Sequence, residues 1–321
     1  MREYILRRLL LIPPIVVALT LLTFLTFRII PGDVAIFVCG FGCTPETLHD
    51  LRHDFGLDKP VFEQYTDWVT GIVKGDLGRS YLTTLPVTTE LNRRYPATLE
   101  LLVLALSLSL VIGMPIGVLS AVRPGTIIDS VARFVSVLFQ SVPSFYSAIL
   151  VIIFGAKWFS WSPPNFATGT APALFSDPLQ NMETFLPPAL VLSAGSAAII
   201  MRLTRSSMLE VMRNDYIRTA YSKGLRERVV VWRHAMKNAM IPVVTIIGLE
   251  AGGLLGGTVL VESVFGLNGI GSYLVQSIIT RDLQVVQALV LIFAVSYVTI
   301  NLVVDLSYAW LDPRIHYQTG R

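Results

Sequence analysis

The chain has 321 residues, of which 53% are hydrophobic and only 15% are charged, and its formal net charge is +3. A soluble domain of ordinary composition carries about 25% charged residues. The composition therefore excludes an ordinary soluble protein and predicts one that lies in a lipid bilayer. The small net charge gives no indication of nucleic-acid binding.

Six apolar stretches are long enough to cross a membrane, because about 20 helical residues span about 30 Å of hydrocarbon. Their apolar character is continuous rather than alternating, which favours helices over β-barrel strands. The first stretch is interpreted as a retained helix, since it is longer than the core of a signal peptide. We predict an all-α membrane protein with one transmembrane domain over residues 1–321 and spans at about 9–30, 98–122, 134–156, 185–201, 240–261 and 285–310.

The distribution of Lys and Arg predicts the orientation of these spans. With six spans both termini share one side, and that side also holds residues 123–133 and 202–240. It carries more basic residues than the opposite segments, which are 31–96, 157–184 and 262–284. The positive-inside rule therefore places both termini in the cytoplasm.

The extracytoplasmic loop predicted at residues 31–96 carries signals for two short helices. Thr44 followed by Pro45 is typical of a helix that begins with an N-cap residue and a proline. Gly56 is expected to end that helix, and a second helix is expected over residues 61–74. The two helices would form a small cap on the outer side.

Two cysteines, Cys39 and Cys43, lie in the same outer loop. A disulfide is permitted there, and the glycine-containing sequence between the cysteines could close a small ring. Free thiols are the equally open alternative. Two cysteines are too few for a metal site, and we expect no metal in this chain.

The fifth span contains Gly248, Gly252 and Gly256 at a spacing of four, with Gly253 and Gly257 beside them. Small residues at this spacing let helices approach closely in lipid. The stripe predicts a packed interface. Either it contacts another subunit or a path through the membrane, or it serves ordinary helix packing within the chain.

Glu250 lies near the middle of the same span. An acid at that depth is costly and is a functional-site candidate by default. Two roles are open for it: lining a polar path where it meets the cationic end of a ligand, or a hydrogen bond to a neighbouring helix.

The basic segment, residues 202–240, is the most informative part of the chain. Apolar residues alternate with charged ones, and Gly224 permits a sharp bend, which predicts a helix, a glycine turn and a second helix along the membrane surface. The residues alone leave two interpretations: a basic linker held to anionic lipid, or a surface that another protein contacts.

The basic segment carries an ordered series of residues: Asp215-Tyr216, Arg218-Thr219-Ala220, Lys223-Gly224-Leu225, Glu227-Arg228, His234-Ala235, Asn238-Ala239 and Pro242. Further motifs lie before and after this segment: Pro31-Gly32-Asp33, Gly75-Asp76-Leu77-Gly78, Gly256-Gly257, Phe265-Gly266 and Asp312-Pro313-Arg314. Together they resemble the permeases of binding-protein-dependent ABC importers, and more narrowly the dipeptide, oligopeptide and nickel permease family.

The resemblance implies an ABC importer type I permease fold in a bacterial or archaeal inner membrane. It implies a coupling helix that docks on a cytoplasmic ATPase through Arg218, Thr219, Ala220, Lys223 and Gly224. The implied partners are a second homologous permease, two ABC ATPase subunits, an extracytoplasmic solute-binding protein and membrane lipid. The candidates for the translocation pathway are Glu250, Gly252, Gly253 and Gly256.

The chain departs from the family pattern at four places. Tyr221 stands where many relatives have a basic residue, and Glu250 where a neutral polar residue is common. Val34 follows Asp33 where proline is usual, and the Cys39–Cys43 segment is not typical of the family. Peptides are the expected cargo, with nickel or another small solute as alternatives, because the binding protein makes most of the selection in such systems.

The chain has no phosphate-binding loop, so ATP and Mg are expected in the partner ATPases and the chain is not expected to be an enzyme. A proton-coupled secondary transporter is the rival function, with Glu250 and Asp305 as its candidate proton sites. No broken span with paired charges is visible in the sequence to support that rival.

Overall fold

The structure, a computed structural model, describes residues 2–29, 34–40, 43–168 and 176–311. Helices make up nearly all of the regular structure in this part of the chain. In chain order they are α1 (Arg2–Ile29), α2 (Val34–Cys39), α3 (Pro45–Asp54), α4 (Val61–Val73), α5 (Val87–Val122), α6 (Ile127–Ser141), α7 (Ser144–Phe159), α8 (Asn165–Thr168), α9 (Pro178–Met212), α10 (Asp215–Ser222), α11 (Glu227–Val229), a π-helical turn (Val230–Ala235), α12 (Met236–Phe265), α13 (Ile270–Ile279) and α14 (Leu283–Leu311).

Four helical stretches of the described chain are long and apolar enough to cross a membrane. They are α5, α9, the continuous stretch Glu227–Phe265 and the Leu283–Val304 part of α14. A fifth crossing results if α6 and α7 form one bent span, and the apolar part of α1, Leu10–Thr26, is shorter. Within the described residues the structure is therefore nearly all helical and has four or five long apolar spans, where the sequence predicted six.

The third predicted span, residues 134–156, is not one helix. It consists of α6 and α7, whose axes differ by 100°. Pro143 is the N-cap of α7, and Val142 before it is extended, with φ −93° and ψ 123°. Proline lacks an N–H group and disfavours helical geometry in the residue before it. The continuous span that apolar character predicts is therefore replaced by a broken one.

The contacts divide the described chain into two compact units. The first unit contains residues 99–267 and, among the described residues, 299–311. Its centre is α9, which packs against α12, α6 and α7. The buried side chains of α9 run along most of its length, from Asn181 to Met208, so this helix is enclosed by protein rather than by lipid.

Two glycines bring the backbone of α5 close to α9 within the first unit. A Cβ atom on Gly113 would lie 2.6 Å from the carbonyl oxygen of Ala197, and one on Gly117 would lie 2.6 Å from that of Met201. Since no real Cβ contact is this short, only glycine fits at either position. The pair is a small-residue contact of the kind that joins membrane helices.

The second unit contains residues 2–98 and 268–298. Its two short helices agree with the sequence prediction. The Thr44 side chain accepts a hydrogen bond from the Thr47 N–H at the start of α3, Pro45 is the first residue of α3, and Gly56 follows it with φ +61°. Helix α4 begins at Val61 as expected. The motifs Pro31-Gly32-Asp33 and Asp312-Pro313-Arg314 lie outside the described residues.

A buried polar contact and an apolar core hold the second unit together. The Ser80 hydroxyl donates to Asp282 Oδ2 at 2.5 Å, and the Tyr81 N–H donates to Asp282 Oδ1 at 3.2 Å. The core beside it comprises Leu77, Val87, Ile270, Val285, Ala288 and Leu289. In the same unit Cys39 and Cys43 are joined by a disulfide, with Cα atoms 5.4 Å apart.

Candidate functional site

The basic segment folds as a helix, a glycine turn and a second helical stretch. Helix α10 ends at Ser222, and Gly224 adopts φ +76°, a conformation that favours glycine. Helix α11 then continues through the π-helical turn into α12. The turn predicted at Gly224 is therefore confirmed.

One face of the basic segment is buried inside the chain. Ile217 and Ala220 of α10 are only 1% and 6% exposed. They pack in a hydrophobic cluster with residues of α5, α9, the π-helical turn and α12, namely Val118, Ala121, Met208, Val230, Val231, Ala235 and Ala239. The Asn238 side-chain amide also donates to Tyr216 Oη at 2.8 Å. Helix α10 is thus fixed to the ends of three long helices.

The other face of the basic segment, here called the outer face, is exposed. Its apolar members are Tyr216, Tyr221, Leu225, Val229 and Trp232. Arg218, Thr219, Ser222 and Lys223 are exposed among them. An exposed apolar patch with polar neighbours marks an interaction surface. Partial burial and, to a lesser extent, the charge of Glu227 raise the pKa of Tyr221, so its hydroxyl stays protonated at neutral pH.

The structure separates the residues that the family resemblance assigned to ATPase coupling. Arg218, Thr219, Lys223 and Gly224 are exposed, and a Cβ atom on Gly224 would meet nothing within 4 Å. Ala220 faces inward instead, where its small side chain serves the internal packing of α10. Close approach of a partner therefore has to involve the other members of this set.

Glu250 lies at the edge of a cavity of about 340 Å³ in the first unit, and Gly253 lines the same cavity. The Ser196 hydroxyl donates to Glu250 Oε2 at 2.6 Å, and Ser196 itself is buried. The remaining wall includes Gln140 and Pro143 at the break between α6 and α7. The structure therefore shows the hydrogen bond of Glu250 to α9 and places the residue beside open volume.

The glycines of α12 do not form one uniform stripe. Gly248 and Gly252 are buried, and Gly248 contacts Val304, so it serves packing within the first unit. Gly253 and Gly256 are exposed, and Cβ atoms there would meet nothing within 4 Å. A Cβ atom on Gly257 would lie 2.8 Å from Leu192 Cδ1. Only the exposed pair remains available to a partner or a pathway.

A second carboxylate of the first unit, Asp129, is 1% exposed and has several partners, here called the Asp129 cluster. Arg205 binds it with two nitrogens, at 2.7 Å to Oδ1 and 2.9 Å to Oδ2. The Ser120 hydroxyl donates at 2.5 Å and the Gly125 N–H at 3.0 Å. Such a bidentate pair is among the stronger polar contacts in proteins, and here it joins α6 to α9.

A family model described as "Binding-protein-dependent transport system inner membrane component" matches residues 113–317. The chain belongs to this family. A second model, for the N-terminal part of such membrane components, matches residues 1–102 of the chain. The family resemblance drawn from the basic segment is confirmed.

Curated relatives match nearly the whole inner-membrane component. A Brucella suis protein named as a putative peptide transport system permease is 39% identical over 317 residues, which is 99% of this chain and 100% of the relative. The dipeptide transport system permease protein DppB of Escherichia coli K12 is 38% identical over 341 residues, with 99% and 100% covered.

Two solved ABC transporters have a similar fold. A chain of the inward-facing methionine transporter MetNI gives a TM-score of 0.54 at 20% identity and covers 69% of this chain and 96% of its own. An amino acid ABC transporter solved with histidines gives a TM-score of 0.54 at 18% identity, with 70% and 94% covered. At these identities the similarity shows the fold alone.

Sequence reasoning missed three features of this inner-membrane component. The break before Ser144 was signalled by Pro143, and the contact of α5 with α9 by two glycines four residues apart, Gly113 and Gly117. The pairing of Asp129 with Arg205 joins residues 76 positions apart, and no local pattern indicates it.

Proposed function

We propose that this chain is the membrane-spanning permease subunit of an ATP-driven importer and forms half of the pathway for di- or oligopeptides. An extracytoplasmic solute-binding protein delivers the cargo. The observation that carries the proposal is the outer face of the basic segment, an exposed apolar and polar surface whose buried side is packed on α5, α9 and α12. The names of the bacterial relatives support peptides as the cargo.

Force on the outer face would reach the spans through packing already present. Ile217 of α10 contacts the same cluster as Val118 of α5 and Ala239 of α12. Because packed interiors deform little, a displacement of α10 would displace the attached helix ends. Two partner ATPases that hold ATP and Mg would supply that displacement, so the chain itself performs no hydrolysis.

The proposed topology has six spans with both termini in the cytoplasm. Its support is that segments assigned to one side meet one another. Asp129 and Arg205 belong to two predicted inner segments and form an ion pair. Ser80 and Asp282 belong to two predicted outer segments and share a hydrogen bond.

We assign the second, homologous permease to the exposed face of α12. Leu249, Gly256 and Leu260 are exposed there at helical spacing, outside the Glu250 cavity. Glycine at the middle position lets another helix approach closely. The partner chain would thus complete the pathway opposite α12.

The experiment that tests coupling places a charge on the outer face. Leu225→Asp should reduce copurification of the ATPases and ATP-driven peptide uptake by about tenfold or more, since interface hot spots contribute about 2 kcal/mol or more. Gly224 is a less suitable site, because any side chain there strains a backbone at φ +76°.

The matched control is Val73→Asp, which charges an exposed apolar residue of the second unit. It should leave ATPase copurification unchanged. Full copurification and uptake with Leu225→Asp would remove the outer face from the coupling mechanism.

A proton-coupled transporter remains the second candidate because of one structural observation. The break between α6 and α7 lies beside Glu250, and discontinuous spans beside midplane acids occur in secondary transporters. Uptake into vesicles that contain the chain without ATPases, driven by a proton gradient alone, would favour this candidate. Strict dependence on ATP and the ATPases would exclude it.

A further inference from the structure

The Glu250 cavity is defined by elements of one unit and has an unusual chemistry for its position. Its wall is formed by α6, α7, α9 and α12, and it includes Glu250, Ser196 and Gln140. The lining residues include this one acid and no basic residue. A volume of about 340 Å³ lies at the lower end of ordinary ligand sites, which suits one terminal residue of a peptide.

Glu250 is held with its carboxylate partly free. The Ser196 hydroxyl donates to Oε2, and no Lys, Arg or His of the described chain lies within salt-bridge distance of the carboxylate. Asp129 in the same unit shows the opposite case, with two nitrogens of Arg205 on its oxygens. A carboxylate inside a membrane span that lacks an internal cation is stabilised when a cation arrives.

The break in the third span brings two helix ends to the cavity. Gln140 and Val142 at the carboxyl end of α6 line it, and so do Ser144 and Ser147 at the amino end of α7. A helix carries partial negative charge at its carboxyl end and partial positive charge at its amino end. The two ends oppose each other, so the charge preference of the cavity depends on Glu250.

Bare backbone leaves room for a ligand beside the acid. Gly195 of α9 and Gly253 of α12 both line the cavity, and Cβ atoms on them would meet nothing within 4 Å. A ligand can therefore reach the level of Glu250 without displacing a side chain at either position.

We propose that the Glu250 cavity is the subsite for the protonated α-amino group of the transported peptide. Glu250 accepts from the ammonium group, and Ser196 fixes the carboxylate. The inference rests on the proposed function for the peptide as cargo. The preference of the cavity for a cation is a property of the chain that can be measured without transport.

The first experiment measures that preference with a thiol placed in the cavity. Gly253→Cys in the assembled transporter should react about five- to tenfold faster with a methanethiosulfonate carrying an ethylammonium group than with the ethylsulfonate reagent, after correction for their intrinsic rates. Adding Glu250→Gln should abolish most of the difference. Val73→Cys, at an exposed position of the second unit that does not line the cavity, is the control, and its reaction should not depend on Glu250.

The second experiment uses cargo. The assembled transporter should take up alanylalanine, and Glu250→Gln should slow that uptake about tenfold, while Ser196→Ala, which keeps the charge, should slow it about twofold. Alanylalanine should also protect Gly253→Cys from modification, whereas its N-acetylated form should not.

Equal reaction of both reagents in Gly253→Cys, or a charge preference unchanged by Glu250→Gln, would overturn the subsite. So would equal protection by the two forms of the dipeptide. Failure of the unmodified transporter to take up any peptide, with the reagent preference intact, would instead count against peptides as cargo.

Discussion

The Asp129 cluster and the Glu250 cavity present two carboxylates of the same unit in opposite conditions. Asp129 is buried with Arg205, Ser120 and the Gly125 N–H around it. Glu250 has one serine partner and open volume beside it. A buried charge that is fully paired contributes to the fold, whereas one left partly unpaired costs stability and is retained for binding. From this contrast we assign a structural role to Asp129 and a role in transport to Glu250.

The largest effect is expected when Asp129 loses Arg205. Arg205→Gln should destabilise the chain by about 3 kcal/mol, because the buried carboxylate then keeps, of its basic partners, only the longer contact with half-exposed Arg133, at 3.5 Å. Arg205→Lys keeps the charge but loses the bidentate geometry and should cost less. A detergent-denaturation series would measure both. A loss below about 0.5 kcal/mol in the free energy of unfolding with Arg205→Gln would show that Asp129, like Glu250, does not need a basic partner for stability.

The second-largest effect is expected at glycines, where a closely packed position is compared with an open one. Gly117→Ala should destabilise by about 1–3 kcal/mol, because the new methyl group meets the Met201 carbonyl oxygen. Gly256→Ala, where the space is open, should be neutral or stabilise the isolated chain by up to about 1 kcal/mol through helix propensity. Equal losses in the free energy of unfolding for Gly117→Ala and Gly256→Ala would show that α5 and α12 are packed equally closely at these two positions.

A third and smaller effect concerns one hydrogen bond of the Asp129 cluster. Ser120→Ala removes the hydroxyl that donates to Asp129 while leaving Arg205 in place. The expected loss is about 1 kcal/mol in the free energy of unfolding. A cost as large as that of Arg205→Gln would mean that the serine, not the ion pair, dominates the cluster.

The smallest effect on stability is expected at the cavity. Glu250→Gln keeps an acceptor for the Ser196 hydroxyl, so the free energy of unfolding should change by less than about 0.5 kcal/mol, even though peptide uptake falls. A stability loss near that of Arg205→Gln would make Glu250 a structural residue and would remove the difference between the two regions.

Much of this fold follows from local signals in the sequence. Helices α3 and α4 begin where Thr44-Pro45 and residue 61 indicate, and Gly224 forms the predicted turn. Each of these features depends on the backbone conformation that a particular residue prefers. Such preferences are local and do not depend on contacts with distant parts of the chain.

The broken span shows where local signals become insufficient. Pro143 separates α6 from α7, yet Pro187, Pro188 and Pro242 lie inside continuous helices. The local penalty of proline is similar at each site, so packing by neighbouring helices decides whether the helix continues. The same dependence on distant partners explains why the Asp129 cluster could not be predicted and why the glycine stripe of α12 divided into packed and open positions.

The disulfide between Cys39 and Cys43 has a practical consequence for spectroscopy. The chain contains two cysteines, and they are joined to each other. Under non-reducing conditions two engineered sulfhydryls, one at position 253 and one on the outer face of the basic segment, would therefore be the only attachment points in this chain for spin labels or fluorophores. The distance between the two labels could then be followed through an ATP cycle without first replacing a native cysteine.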